Sequence, residues 1–257
     1  MSKRDLYFSK PWMNAAGTLG FSPDPRAPMA WEDFGAFVTN PISSRPRLPA
    51  AQPAASEYPG GFLLHTGLPN PGISAVIRAE APRWARSDLP IIVHLMADRP
   101  EETARMVQRL ERQENVMAVE LGFAPLLSDD IIFVALEMCL GELPLVVSLP
   151  AEQAVRIGAK VMQAGAAAIS MSAPRGAISP GPSPDGKGEL LMGRLYGPSL
   201  FPQALEHIHT AARMGLPIIG AGGVWKREQA EAMISAGALA VQVDASLWLP
   251  KYKGPVR

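Results

Sequence analysis

The sequence predicts an α/β fold, a single-domain (β/α)8 TIM barrel spanning residues 1–257, and three observations carry that reading. Eight short apolar runs recur with amphipathic segments between them. Three units open alike, at Leu89-Pro-Ile-Ile-Val, Leu143-Pro-Leu-Val-Val and Leu216-Pro-Ile-Ile-Gly. The length, 257 residues, is the usual size of one such barrel. Runs that are apolar throughout mark strands covered on both faces by helices, as in a parallel sheet. Repeated strand-helix-strand units that reach eight strands favour a closed barrel over an open doubly wound sheet.

In chain order the candidate strands are Trp12-Met-Asn-Ala-Ala, Ala36-Phe-Val-Thr, Ile91-Ile-Val-His-Leu, Met117-Ala-Val-Glu-Leu, Leu145-Val-Val-Ser-Leu, Ala167-Ala-Ile-Ser-Met, Ile218-Ile-Gly-Ala and Ala240-Val-Gln-Val. Between them lie segments such as Glu101 to Leu110, where Ala104, Val107 and Leu110 share one face at helical spacing. Ala164-Gly165-Ala166 and Ala236-Gly237-Ala238 put glycine where a helix stop needs a left-handed residue. Ser128-Asp129-Asp130 reads as a helix start, with Ser128 as N-cap and acids in the first turn. His207 and His209 fall on the outer surface of a helix running from about Pro198 to Met214.

Two long connections break the rhythm, Asn40 to Pro71 and Pro174 to Pro198, both rich in Pro, Gly and Ser. Such loops are lids, partner-binding segments or disorder, and in a barrel those that follow strands lie at the catalytic face. The eighth unit reads as incomplete. After Val243 only a short stretch with two prolines and a glycine remains, which opposes a full helix. The thinly covered wall there is expected to be an interface, in a homo- or hetero-oligomer.

Composition excludes several classes. Hydrophobic residues make up 47% and charged residues 19%, as in a folded soluble protein. With 24 Lys+Arg against 24 Asp+Glu there is no net charge to attract nucleic acid. No apolar run reaches the roughly 18 residues of a membrane span, and the chain reads as cytoplasmic. Cys139, the single cysteine, allows neither an internal disulfide nor a multi-cysteine metal site, and the four histidines show no metal-ligand spacing. Within an apolar helical segment it reads as a packing residue.

Several residues could carry chemistry. His65 and His94 fall near the barrel mouth, where either could work with Asp98 or Glu120 in acid/base catalysis or metal binding. The plainer reading is separate histidines satisfied by backbone, with Glu120 in a structural hydrogen bond. Arg45, Arg47, Arg175 and Arg194 lie in the two long connections and could converge on a small anionic ligand, or could be solvated loop charge. Gly220-Ala-Gly-Gly by itself is a tight turn at a strand end.

Six motifs occur in register on this frame: Met13-Asn-Ala-Ala-Gly-Thr-Leu-Gly20, Pro59-Gly-Gly-Phe, Gly67-Leu-Pro-Asn-Pro-Gly72, Arg175-Gly176, Leu195-Tyr-Gly-Pro198 and Gly220-Ala-Gly-Gly-Val224. In this order they resemble the dihydroorotate dehydrogenase family, across nearly the whole chain. The resemblance implies a flavin-dependent barrel that oxidises dihydroorotate to orotate. It further implies FMN contacts at Asn14, Ala15, Ala16 and Gly17. The flavin phosphate would be held by backbone N–H groups at Gly222 and Gly223, with Gly197 in the loop preceding them.

The reactive side chains depart from that pattern. Where the family's second strand ends in Thr-Lys-Ser, this chain has Thr39-Asn40-Pro41; its fifth-strand lysine corresponds to Ser148. The family's catalytic base, a cysteine or serine, corresponds to Pro125, which has no ionisable group, and neither Ala124 nor Leu126 could substitute. The substrate-holding asparagines correspond to Leu64, His94 and Ser172. At the eighth strand the usual Gly-Thr aligns with Asp244-Ala245. A carboxylate about 4 Å from a phosphate repels it by about 4 kcal/mol at an effective dielectric near 20. Asp244 is therefore expected either to turn away or pair with Arg175, Arg194 or Lys226, or to close the phosphate site. The sequence reads as a pseudoenzyme-like member, a binding or assembly subunit or one with altered chemistry. The alternatives are a retained FMN oxidoreductase of a dihydropyrimidine-like substrate, and an FMN-free lyase or isomerase using His94 and Glu120.

Overall fold

A computed structural model describes residues 6–52, 54–125, 127–179 and 190–249. Leu126, the first five residues and the stretch from 250 to 257 lie outside the described residues, as do residues 53 and 180–189 within the two long connections. In chain order the elements are β1 (Trp12–Asn14), β2 (Phe37–Val38), β3 (Ala54–Tyr58), β4 (Gly61–His65), α1 (Ile73–Trp84), β5 (Ile91–Met96), α2 (Pro100–Leu110), β6 (Val116–Gly122) and α3 (Asp129–Cys139). They continue with β7 (Leu145–Leu149), α4 (Ala151–Gln163), β8 (Ala168–Met171), β9 (Arg175–Ile178), β10 (Leu191–Tyr196), α5 (Phe201–Arg213), β11 (Ile218–Ala221), α6 (Arg227–Ser235) and β12 (Ala240–Val243).

All eight expected strands form one parallel sheet in the order β1-β12-β11-β8-β7-β6-β5-β2. A parallel bridge between Met13 and Ala36 joins its two ends, so the sheet closes into a barrel. The seam is narrow because β2 has only two residues, and Asn14 reinforces it. Its Nδ2 donates to Val38 O at 2.6 Å, and Val38 N donates to its Oδ1 at 3.0 Å. One side chain thus does the work of a missing backbone rung.

Period-two alternation divides each strand's side chains between two layers. Met13, Ala36, Val38, Ile92, Ala118, Val146, Ala168, Ile219 and Ala240 pack inside the barrel. Their neighbours, among them Phe37, Val93, Val119, Val147, Ile169 and Val241, meet the helices outside. Ala104, Val107 and Leu110 are buried on α2 as their spacing requires, joined by Thr103 and Met106. Gly165 and Gly237 take φ of 102° and 109° after α4 and α6, the left-handed stops expected there. Cys139 is buried at the end of α3, and burial pushes its thiol up to about 12, consistent with packing rather than reactivity.

Three local readings need correction. Ser128 sits at the N-cap of α3 but its side chain makes no capping bond; Asp129, one residue on, holds Arg156 and Gln153 instead. His209 is exposed, whereas His207 is half-buried, its Nδ1 2.7 Å from Gln203 O, and lines a cavity. The long connections are not simple loops. Each contributes a pair of strands to one antiparallel sheet, β3-β4-β10-β9, beyond the C-terminal ends of β2 and β8. β3 pairs with β4 and β9 with β10 inside each connection, and the β4–β10 pairing, between segments over a hundred residues apart, joins the two pairs without any local signature.

After β12 the described chain makes only a 3-10 turn, Ala245–Trp248, as the sequence anticipates. This turn packs toward the mouth: the Trp248 indole N–H donates to Thr18 O at 2.9 Å, and its ring lies 5.7 Å from Tyr196 and 6.3 Å from Phe62. Asn14→Ala leaves the N–H and C=O of Val38 without partners inside the protein. At roughly 1–3 kcal/mol for each unsatisfied group, urea denaturation is expected to show a loss of about 3 kcal/mol, and an unchanged midpoint would show that the seam does not need this side chain.

Candidate functional site

The site is built from the residues one pleat above the barrel's apolar layer. Two positions beyond Ile92, Ala118, Val146, Ala168 and Ala240 come His94, Glu120, Ser148, Ser170 and Gln242, which therefore face the same interior. Glu120 is the centre of this layer. Its Oε1 lies 2.6 Å from His94 Nδ1, and its Oε2 accepts from Gln242 Nε2 at 2.7 Å. Burial pushes the carboxyl upward, but the bonds from His94 and Gln242 more than reverse this and hold it below the usual range, so Glu120 is ionised. Ser170 lies near the same carboxylate without reaching hydrogen-bond geometry, and its buried hydroxyl has no partner.

An ionised Glu120 dictates the hydrogen on His94 Nδ1. The other ring nitrogen, Nε2, lies directly over Gly122, where any side chain at that position would collide with it. The backbone N–H of His94 in turn donates to Thr39 Oγ1 at 3.0 Å. The imidazole is held at Nδ1 by Glu120, and the backbone that carries it by Thr39. Of the two pairings open in the sequence, the structure selects Glu120 for His94. Asp98 is engaged elsewhere, its Oδ1 accepting the Ala124 N–H at 2.8 Å.

Above His94 opens a cavity of about 330 Å³, small for the 300–1,000 Å³ range of ligand sites. Its walls include Ala16 and Gly17 from the first strand's loop, Leu64 and His65 from β4, Pro125 after β6, and Trp248. Arg47, Arg175 and Arg194 also line it, while Arg45 lies apart with Arg99 and Glu102. A second cavity of about 290 Å³ on the outer side brings together Ser172, Arg175, His207 and Gly222. The candidate residues of the sequence thus divide between a mouth and a flanking pocket, and no group of His, Cys, Asp or Glu among the described residues could hold a metal.

Of the three other candidate glycines, Gly223 and Gly197 pack against protein backbone, while Gly222 lines the flanking cavity. Gly223, with φ 70°, lies against the backbone of Leu200 and Phe201; Gly197, with φ 142°, lies against Gly60. Gly222 takes φ 106° beside Ala204. At the neighbouring strand end, Asp244 is 3% exposed and its Oδ1 accepts the N–H of Ala245 at 2.6 Å. It pairs with none of Arg175, Arg194 or Lys226; no described cation lies within salt-bridge distance of it. It caps its own turn, which Ser246 Oγ ties to Val224 O at 2.9 Å. Asn40, too, is occupied, accepting the Gly20 N–H at 3.1 Å.

Gln242 and Trp248 escaped the sequence reading. The signal for Gln242 was present: it stands between Ala240 and Asp244 at the pleat parity of the interior. Nothing local marks Trp248, whose contacts are with residues 62, 196 and 18.

Burial raises the Asp244 carboxyl to about 6, only partly offset by the backbone N–H of Ala245. An acid raised above its unfolded value keeps its proton longer in the folded protein, so the contribution of Asp244 to stability is greatest below about pH 4 and falls as pH rises toward 6. Two units correspond to about 3 kcal/mol. Asp244→Asn is expected to remove most of this slope in denaturation midpoints measured across that window; an unchanged slope would place the titration elsewhere.

The comparisons with known proteins agree with this architecture. The family model described as Dihydroorotate dehydrogenase matches residues 3–123. The chain is 31% identical over 264 residues to the Dihydroorotate dehydrogenase B (NAD(+)), catalytic subunit, of Pelobacter propionicus, covering 95% of this chain and 86% of that one. It is 30% identical to the protein of the same name from Geotalea daltonii, covering 93% and 84%. The crystal structure of DHODH in complex with ferulenol from Eimeria tenella superposes with a TM-score of 0.70 at 17% identity, over 97% of this chain and 79% of that one, a likeness of fold. The chain belongs to the dihydroorotate dehydrogenase family.

Proposed function

We propose that this family member does not oxidise dihydroorotate, and that its barrel mouth serves as a binding site, in an assembly subunit or with altered chemistry. The observation that carries the reading is Pro125. It lines the mouth cavity at the position where the family resemblance puts the proton-abstracting side chain, and it has no group that can take a proton.

The surroundings of the implied flavin support the same reading. A phosphate at the Asp244 strand end would need the Ala245 N–H, which Asp244 already occupies with its own buried carboxylate. Asn14 spends its amide on the barrel seam, and no lysine stands at Asn40 or Ser148 to meet a flavin ring. These residues do not fit FMN. A second reading, an FMN oxidoreductase acting on a dihydropyrimidine-like substrate, draws on Ala16 and Gly17 at the mouth and on the names of the relatives.

The same proposal places a partner, a second copy or another chain, over the thin wall beyond β12. Trp248 and Leu249 are exposed there. No helix among the described residues is long and apolar enough to cross a membrane.

The purified protein is expected to be colourless, to bind FMN no tighter than tens of micromolar, and to leave dihydroorotate unoxidised with FMN and an electron acceptor supplied. A flavin spectrum near one equivalent together with orotate formation would restore the oxidoreductase reading. Sedimentation at micromolar concentration is expected to give a dimer or larger species, and a strictly monomeric mass would remove the homo-oligomer.

A further inference from the structure

The buried polar layer beneath the mouth ends in an atom that the protein leaves without a partner. His94 is 3% exposed, and its Nδ1 lies 2.6 Å from the ionised carboxylate of Glu120. Its Nε2 has no hydrogen-bond partner among the described residues. That nitrogen sits where a side chain on Gly122 would stand. Gly122 is the interior position next above Glu120 on β6, so this ring edge forms part of the floor of the mouth cavity, which His94 and Gly122 both line.

A purely structural tie from β5 to Glu120 needs only one donor at the place of Nδ1, which an amide supplies, and needs no bare glycine opposite the far edge. An imidazole adds a second nitrogen that can take or give a proton while the first stays bonded. The carboxylate behind Nδ1 stabilises the positive charge that forms when Nε2 takes a proton. Glu120 is itself fixed from the opposite wall by Gln242 at 2.7 Å, so the ring is oriented before any ligand arrives. Around Nε2 the mouth is lined by Leu64, Met96, Phe123 and Pro125, which suit an uncharged body. Arg175 and Arg194 on the same lining offer N–H groups to negative charge that develops on a ligand during reaction.

We propose that His94 is a catalytic residue whose Nε2 moves a proton on a neutral carbon acid bound in the mouth, a compound with a C–H beside a carbonyl or imine group, and that Glu120 and Gln242 are positioning residues acting through the imidazole. The C–H bond breaks as Nε2–H forms, and the electron pair passes into the adjacent C=O or C=N group. The imidazolium then returns the proton to a different carbon of the same conjugated anion, which makes the reaction an isomerisation. Nothing is oxidised or reduced, no group leaves, and no co-reactant is required. The inference deepens the reading of altered chemistry in a flavin-free mouth and rests on it. The base comes from β5, whereas the position of the family's own base is the proline after β6.

The ring opening of 5-nitrobenzisoxazole tests the base with a neutral probe that bears no carboxylate. Nε2 takes the proton from the C–H beside the C=N group, the N–O bond breaks, and a coloured nitrile-bearing phenolate is released. The intact protein is expected to show saturable turnover at least about a hundredfold faster than buffer at the same pH. His94→Gln keeps a donor toward Glu120 but loses the proton acceptor, and is expected to return the rate to that of buffer with the melting temperature held. Glu120→Gln is expected to lower kcat at least tenfold with KM unchanged, a split that a merely structural role would not produce. Gly122→Ala leaves the bond between Glu120 and Gln242 in place and puts a methyl against Nε2; the same loss is expected, so the test does not depend on a change at the buried carboxylate. A wild-type rate no faster than buffer, or a His94→Gln rate equal to wild type, would overturn the assignment. FMN titrated in parallel reports on the underlying reading separately: tight FMN binding overturns the flavin-free mouth whether or not the probe is opened, and a colourless protein with an inert His94 overturns this inference alone.

Discussion

The carboxylate of Glu120 is the constraint on which the interior of this barrel depends. It is ionised and almost fully buried, and a charge so placed is tolerable only when each oxygen is bonded. Its two partners come from different walls. His94 is on the adjacent strand β5, but Gln242 is on β12, four places away from β6 in the eight-stranded ring. The carboxylate therefore ties opposite sides of the barrel together through its centre. It also fixes the imidazole, since an ionised acceptor puts a hydrogen on Nδ1 and leaves Nε2 toward Gly122.

Above that layer the barrel end is closed mainly with groups of its own chain. Asp244 satisfies the first N–H of the turn after β12, Asn40 accepts from Gly20, Asn14 stitches β1 to β2, and Trp248 bridges the first loop and the added sheet. Each is a polar or aromatic group turned to a neighbour within the protein. Together they explain how strand ends that differ so much from the family pattern still support a well-packed barrel. The exception is Nε2 of His94, which has no hydrogen-bond partner among the described residues.

Much of the barrel was legible in the chain. Ile91-Ile-Val-His-Leu and Leu145-Val-Val-Ser-Leu are strands because an uninterrupted apolar run has only one comfortable place, between helices and barrel interior. Gly165 and Gly237 end helices because a left-handed residue is needed there. The pairing of His94 with Glu120 was visible only as one of several combinations. In contrast, the sheet β3-β4-β10-β9 was not read from the sequence: its strands lie in Pro- and Gly-rich connections, and although β3–β4 and β9–β10 are each locally paired, only the long-range β4–β10 pairing makes one sheet of them. Ser128 stands at the helix start as the sequence indicates, but its side chain makes no capping bond there.

By itself the sequence determined the fold class, the eight strands, the helix stops and the identity of the side chains at every strand end, because these follow from periodicity, backbone preference and chemical type, which are local. Only the tertiary structure decided which of those side chains meet. Asp244 could have faced a cation or solvent, and instead capped its own turn; Arg175 and Arg194, 19 positions apart, became neighbours through antiparallel register. The difference is physical: propensity is summed over adjacent residues, whereas a site is a matter of distances between groups that only chain closure brings within a few ångströms.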